Sequence, residues 1–269
     1  NLFDEEIENK KGDVKTNRSG VNFGVGFKSD DISQAIKYNF STSETTTSSS
    51  STAASETGEE GKEITTSSIT HGLFQDTRDN YFNPTSGYRW KFENTLAGFG
   101  GDAKFYKSVL NIKSFHPINY GDYVLGFRSG LGIVSAIDDK ITSSNRFVIG
   151  GRTLRGFDNG GVGPRDTGNN QAVGGNNFYN LSFELRSDQW MPSDTGLQWL
   201  IFSDIGSLWG TDYKSGVRGY DDKEPRVTNG FGLSMITPVG PLQMLWGYPV
   251  QSETYDIEEN FQFSIGTSF

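Results

Sequence analysis

Apolar and polar residues alternate along most of this chain. From 177 to 187, Tyr179, Leu181, Phe183 and Leu185 alternate with Asn180, Ser182, Glu184 and Arg186. From 197 to 209, Leu197, Trp199, Ile201 and Ile205 oppose Gln198, Asp204 and Gly206. Tyr88, Trp90, Phe92 and Leu96 alternate with Arg89, Lys91, Glu93 and Thr95, and Phe231, Leu233 and Met235 with Gly230, Gly232 and Ser234. The last nine residues set Phe261, Phe263, Ile265, Thr267 and Phe269 against Gln262, Ser264, Gly266 and Ser268. A period of two marks a strand with one apolar and one polar face. The pattern predicts an all-β, antiparallel chain of eleven strands, near 20–28, 33–42, 62–75, 87–97, 103–116, 122–134, 177–188, 197–209, 227–237, 241–249 and 259–269.

The apolar face could cover a soluble core or meet lipid, and two features favour lipid. The segments run about 9–13 residues, enough for a tilted strand to cross a bilayer (roughly 9–11 residues), whereas soluble strands average about 5–6. Charges inside the strands (Arg89, Lys91, Glu93, Lys107, Lys113, Arg128, Glu184, Arg186, Asp204) fall on the polar side. On the lipid side at mid-membrane, a basic residue would cost ~2–4 kcal/mol. Tyr88, Tyr123, Trp209 and Tyr248 stand near strand ends, where aromatic side chains suit the membrane interface. The expected architecture is a transmembrane β-barrel.

Composition narrows the chemistry. There is no cysteine, so neither a disulfide framework nor a thiolate metal site can form. The two histidines, His71 and His116, lie far apart in sequence, and no metal centre is expected. A net charge of −9 argues against a nucleic-acid partner. The mean hydropathy of −0.53 does not oppose a barrel, because half of each strand faces a polar lumen. No apolar run approaches the ~20 residues of a transmembrane helix.

Connector lengths alternate. Short ones fall near 28–32, 76–87, 117–121, 189–195 and 237–241, with longer ones near 43–61, 135–176, 210–226 and 250–258 and a brief one at 97–102. Outer-membrane barrels place short turns in the periplasm and long loops outside. Residues 41–61 are Ser/Thr-rich, too polar to pack, and read as a low-complexity outer loop. Eleven strands is an odd number. Counting back from a periplasmic C-terminus makes residues 1–19 an outer loop and Asn1-Leu2-Phe3 the end of an earlier strand, so the chain reads as the C-terminal part of a larger barrel.

The candidate chemistry centres on the loop at 135–176, which contains FVIGGRTLRGFDNGGVGPR. Arg155 is a permanent cation and needs a partner. The two strands that follow carry Glu184 and Asp204 on the inward face, which suggests a loop tucked into the lumen and locked by charge. The bland reading makes all three solvated lumen charges. A phosphate-cradling loop is excluded by the absence of G-x-x-x-x-G-K-[S/T] and of a following helix. His116 and the carboxylates of 251–259 make no catalytic constellation, and no enzyme or cofactor is expected. Asp76, Arg78 and Asp79 read equally well as a charged network that fixes a periplasmic turn and as ordinary turn solvation.

At this point the residues resemble a family. Asp76-Thr77-Arg78-Asp79 followed by Phe82-Asn83-Pro84-Thr85-Ser86-Gly87, then Gly150-Gly151, Arg155-Gly156-Phe157, Gly163-Pro164 and Val173-Gly174-Gly175-Asn176 occur in order. They are followed by Ser182-Phe183-Glu184, Phe202-Ser203-Asp204-Ile205-Gly206, Thr237-Pro238-Val239-Gly240-Pro241-Leu242 and a Phe261-Gln262-Phe263 tail closing on Phe269. Over nearly its whole length the chain is similar to the C-terminal barrel of the BamA family, in the BamA/TamA superfamily of outer-membrane assembly and two-partner secretion barrels.

The resemblance implies a sixteen-stranded barrel behind periplasmic POTRA repeats, which this chain lacks. It implies folding and insertion of β-barrel proteins in the bacterial outer membrane, with Arg155, Gly156 and Phe157 locked in the lumen against Glu184 and Asp204. It makes the terminal strand, with Phe261, Phe263, Ile265, Gly266 and Phe269, both a sorting signal and one side of an openable seam. The implied partners are outer-membrane lipids and lipopolysaccharide, unfolded outer-membrane proteins, and assembly lipoproteins held through the POTRA domains. A TamA-type factor or a two-partner secretion pore is the alternative within the superfamily. A passive porin is the alternative of another class, and the R-G-F loop with its acidic pair argues against it.

Overall fold

A computed structural model describes residues 2–8, 14–47, 61–138, 140–192, 195–213, 215–237 and 240–265. Twelve strands form one antiparallel sheet. They are β1 (Leu2–Glu8), β2 (Val14–Ser29), β3 (Ile32–Thr47), β4 (Glu63–Asp76), β5 (Gly87–Ala97), β6 (Phe105–Ile118), β7 (Tyr123–Ala136), β10 (Asn177–Ser187), β11 (Leu197–Trp209), β13 (Arg226–Thr237), β14 (Gly240–Gln251) and β16 (Phe261–Ile265). Each pairs with the strand before it, so the wall is an up-and-down meander. Four two-residue strands lie off the wall: β8 (Gly156–Phe157) pairs with β15 (Glu258–Glu259), and β9 (Arg165–Asp166) with β12 (Val217–Arg218). Among the described residues β1 and β16 are the two ends of the sheet and do not pair with each other.

The polarity is inverted relative to a soluble protein. Phe23, Val25, Ile36, Ile133, Phe183, Ile201, Phe231, Phe261 and Phe263 are exposed, while Ser182, Arg186, Asp204, Thr228, Ser234 and Gln243 are buried. The strand period forces this, because successive side chains point to opposite faces. A wall that is apolar outside and polar inside is the form a membrane requires, since lipid cannot hydrate a polar group and every backbone group must be paired within the sheet. The outward aromatics also join neighbouring strands. Phe231 stacks on Trp246 at 5.5 Å, and Trp246 meets Phe261 at 5.2 Å. The longest connection, between β7 and β10, opens on the same rim as those between β11 and β13 and between β14 and β16, and the tight turns between β2 and β3 and between β6 and β7 lie at the other.

Three expectations change. Residues 4–8 and 14–19 are strand rather than loop: β1 pairs with β2 from Leu2↔Val21 to Glu8↔Lys15, which makes twelve wall strands among the described residues rather than eleven. Strand β3 also runs through 41–47, at the start of the stretch read as a low-complexity loop. The common cause is that these ends rise past the apolar band. There the outer face need not be apolar, so the alternation disappears while the backbone ladder continues. Paired polar side chains replace it, with Thr16 and Thr45 hydroxyls 3.1 Å apart and Arg18 3.9 Å from Glu5. The rest of the Ser/Thr-rich segment, 48–60, lies outside the described residues. Finally, the terminal strand begins at Phe261 rather than 259, because Glu258 and Glu259 pair with the loop. Gly266 and Phe269 lie outside the described residues.

If the exposed apolar face meets lipid, Phe231→Arg should destabilise the folded protein in a bilayer by ~2–4 kcal/mol, measured by reversible unfolding from vesicles. A neutral substitution would show that this face is not in the hydrocarbon.

Candidate functional site

The loop between β7 and β10 turns back over the polar face of the sheet, and Arg155 is its anchor. Its Nε and Nη2 donate to the two carboxylate oxygens of Asp204, both at 2.7 Å, in the bidentate arrangement that a guanidinium favours. Nη1 donates to Glu184 at 2.6 Å and Nη2 also to the Ser182 hydroxyl at 2.8 Å. The Arg155 backbone N–H donates to Asp204 at 3.1 Å. The guanidinium lies on the Phe202 ring, 3.6 Å from its centroid.

Strand register explains why two carboxylates from different strands meet there. Ser182 on β10 stands opposite Asp204 on β11, and Glu184 opposite Phe202, so the two acids occupy diagonal inward positions and one planar cation reaches both. Arg155 and Asp204 are almost fully buried, at 2% and 1% exposed. A cation in such a place is tolerable only when its donors are met. A second arginine completes the cluster. Arg128 on β7, opposite Ser182, donates to that hydroxyl at 3.0 Å and stands 3.6 Å from Glu184. Two guanidinium groups thus balance two carboxylates. The inward parity of Ser182, Phe202 and Arg128 was visible in the alternation, but their place in the cluster was not, because it depends on register.

The residues after Arg155 are equally enclosed. Phe157 packs with Ile149, Leu154, Val162 and Leu208 in a small apolar core inside the sheet, flanked by Phe147 and Phe178. Gly156 has φ +90°, and a Cβ there would lie 2.6 Å from Thr228 Cγ2 on β13, so both backbone angle and space require glycine. The neighbouring loops are tied to this one. β9 pairs with β12, and buried Arg226 joins the last two loops through Asp256 at 2.8 Å and Asp222 at 2.9 Å.

At the opposite rim the turn 77–86 is closed by side chains. Arg78 pairs with Asp76 at 2.7 Å. Asp79 accepts the backbone N–H groups of Asn80, Thr85 and Ser86 and the Thr85 hydroxyl. Slight burial would raise the Asp79 pKa, but the Thr85 hydroxyl and the three backbone donors outweigh it and hold the carboxyl below its ordinary range. Asp76, Arg78 and Asp79 therefore lie together in one bonded turn, whose Phe82, Asn83 and Pro84 line one cavity with Arg128, Glu184 and Arg186.

The terminal-strand residues Phe261, Phe263 and Ile265 point outward and are half exposed. Among the described residues their strand pairs with β14 from Trp246↔Phe261 to Leu242↔Ile265. Among the described residues no group of three or more His, Asp and Glu is placed to hold a metal ion.

The chain as a whole is similar to known proteins. A profile described as the Omp85 superfamily domain matches residues 1–269. The outer membrane protein assembly factor BamA of Neorickettsia risticii is 33% identical over 179 residues, which cover 66% of this chain and 24% of that protein. A SAM50-like protein of Schizosaccharomyces pombe is 27% identical over 216 residues, 75% of this chain and 44% of that one. The solved BamA structure from Haemophilus ducreyi lacking POTRA domains 1–3 shares the fold, with a TM-score of 0.85 at 20% identity over 97% of this chain and 57% of that chain. The chain therefore spans about a quarter of the length of the Neorickettsia relative.

Two outcomes follow from the geometry. Arg155→Ala and Asp204→Ala should each cost ~3–5 kcal/mol of stability, the penalty for stranding a buried charge. The double variant should cost clearly less than the sum when unfolding is measured in vesicles, and strict additivity would mean the two groups do not act on each other. The Asp79 turn has a defined pH sense. Its folded pKa is depressed, so its contribution is complete above the unfolded value near 3.8 and is lost as pH falls through the folded value. Amide exchange at Thr85 and Ser86, corrected for intrinsic rate, should lose protection only below about pH 4, whereas Asp79→Asn should weaken it at neutral pH as well.

Proposed function

The chain belongs to the Omp85 superfamily, and we propose that it forms the C-terminal part of a barrel that folds and inserts β-barrel proteins into the bacterial outer membrane. The relative most informative for this reading carries the name of an outer-membrane assembly factor. The observation in this chain that supports it is the terminal strand, which sits at the end of the sheet with β14 as its one partner strand among the described residues. A strand at such an edge can part from the wall and offer its free side to an incoming chain by β-augmentation.

The mechanism is non-enzymatic. An unfolded strand in lipid leaves its backbone N–H and C=O groups unpaired, each at a cost of several kcal/mol. Pairing with an exposed edge removes that cost one rung at a time, so the substrate's own folding supplies the free energy. The barrel contributes an edge at the right depth and a wall that stays intact when the edge is used. In this reading Arg155, Gly156 and Phe157, locked on Glu184 and Asp204, hold the wall, and β16 is the movable side of the seam. Unfolded outer-membrane proteins are the substrates. The surrounding lipid, including lipopolysaccharide, is the second partner, and assembly lipoproteins join through the periplasmic domains of the whole protein.

The likeness to the fission-yeast SAM50-like protein gives a second reading, the same activity in the mitochondrial outer membrane. The two readings share the seam and differ only in compartment.

The test uses the full-length protein in vesicles with an unfolded barrel substrate. The described residues contain no cysteine, so an engineered pair can tether β16 to the strand that closes the barrel against it. Oxidising the tether should reduce substrate folding, read by heat-modifiable gel migration, to the rate of empty vesicles, and reductant should restore it. Folding that proceeds undiminished through a locked seam would overturn the reading.

A further inference from the structure

The upper end of the terminal strand is held by the lumen loop and not by the sheet. Gly247 on β14 donates its N–H to Asn260 at 2.9 Å, the last rung of that ladder. Backbone donors on one edge of an antiparallel strand recur every second residue, so the next donor would be residue 249. That residue is Pro249, which has no N–H to give. From there the chain changes partner. Glu258 and Glu259 pair with Phe157 and Gly156. Asp158 donates to the Ile257 carbonyl at 2.9 Å, and Ile257 donates to Gly161 at 2.9 Å. The Gln262 amide donates to the Phe157 carbonyl at 2.9 Å.

Close backbone approach makes this exchange of partners possible. A Cβ on Gly247 would lie 2.8 Å from the Gly156 backbone, and a Cβ on Gly161 would collide with the Ile257 carbonyl oxygen. The loop residues that receive the strand adjoin Arg155, whose ion pairs fix them to β10 and β11. One end of a six-residue stretch is therefore anchored to the firm part of the wall, and the other end grips the chain that enters its last strand.

We propose that the loop, together with Pro249, sets where the terminal strand leaves the sheet: residues 156–161 capture residues 257–259, the ladder stops at Asn260, and freeing the loop loosens the terminal strand selectively. Gly156, Phe157, Gly161 and Gln262 are positioning residues in this scheme. They fix the length of edge that β16 presents, and they touch no substrate. The inference rests on the assembly reading for its purpose but not for its geometry.

Hydrogen–deuterium exchange on the full-length protein in lipid nanodiscs tests it. Arg155→Ala removes the anchor. Gly161→Ala leaves Arg155, Glu184 and Asp204 in place and drives the loop off Ile257, so it keeps the test open where the arginine variant does not fold. In either variant, exchange across 257–262 should rise at least tenfold, with the β13–β14 ladder unchanged. Unchanged protection at 257–262 in a folded Gly161→Ala barrel overturns the proposal, as does a rise spread evenly over β10 to β14. The readout needs no substrate. A barrel that shows the coupling yet inserts nothing overturns the assembly reading alone, and active assembly without the coupling overturns this inference alone.

Discussion

The structure depends on one buried guanidinium. Arg155 lies inside a sheet whose lumen face is polar, yet it is almost sealed from water, with Asp204 gripping it at two points and Glu184 and Ser182 taking further donors. Burying such a charge carries several kcal/mol of desolvation cost per ion even after relaxation. The pairing offsets that cost only while the geometry holds. The lock is therefore a device for uniqueness as much as for stability. A loop of some forty residues that could lie anywhere in a wide lumen has one position in which its cation is satisfied. The apolar core around Phe157 and the glycine contact at Thr228 then follow from where Arg155 is pinned.

The inverted polarity makes that pin necessary. A wall that turns Phe183, Ile201 and Phe231 outward has few apolar inward positions left to hold an internal loop. The available attractions are hydrogen bonds and ion pairs, supplemented by small apolar patches such as Leu200, Phe202 and Leu245. Arg155 uses both kinds at once, with carboxylates around its edge and an aromatic ring beneath its face. Lysine could carry the charge but could not make the bidentate contact or stack as a plane.

Much of this was legible in the sequence where lipid imposes a rule. Between Asn177 and Trp209 the period of two fixed the strands and faced Glu184 and Asp204 inward, and register did the rest. Legibility failed where the rule lapses. At Leu2–Glu8 and at the end of β3 the strands pass the apolar band, alternation carries no penalty there, and the segments look like polar loops. It failed again at Glu259. An acidic residue in front of a good strand reads as its start, and only the position of a loop a hundred residues earlier in the chain shows that it and Glu258 pair elsewhere. Ser182, Phe202 and Arg128 are a third case: each faces inward as the alternation says, but which lumen residues touch is a fact of three dimensions.

The lock and the terminal strand are unequal by construction, and the inequality has a direction. The guanidinium cluster belongs to the class of interaction whose rupture costs ~3–5 kcal/mol, and it stands on β10 and β11, each flanked by full ladders on both sides. Among the described residues the terminal strand has one partner strand and meets a proline where the next donor is needed. On the proposed reading the strand gives way first and the loop stays. A loop fixed to the strand alone would travel with it, and a strand fixed only to β14 would have no defined point of release. Fastening the loop to the strong part of the wall and letting it hold the upper end of the weak part gives the weak strand a fixed boundary. On that proposal the sheet loosens at its last strand while the strands beside it keep their register.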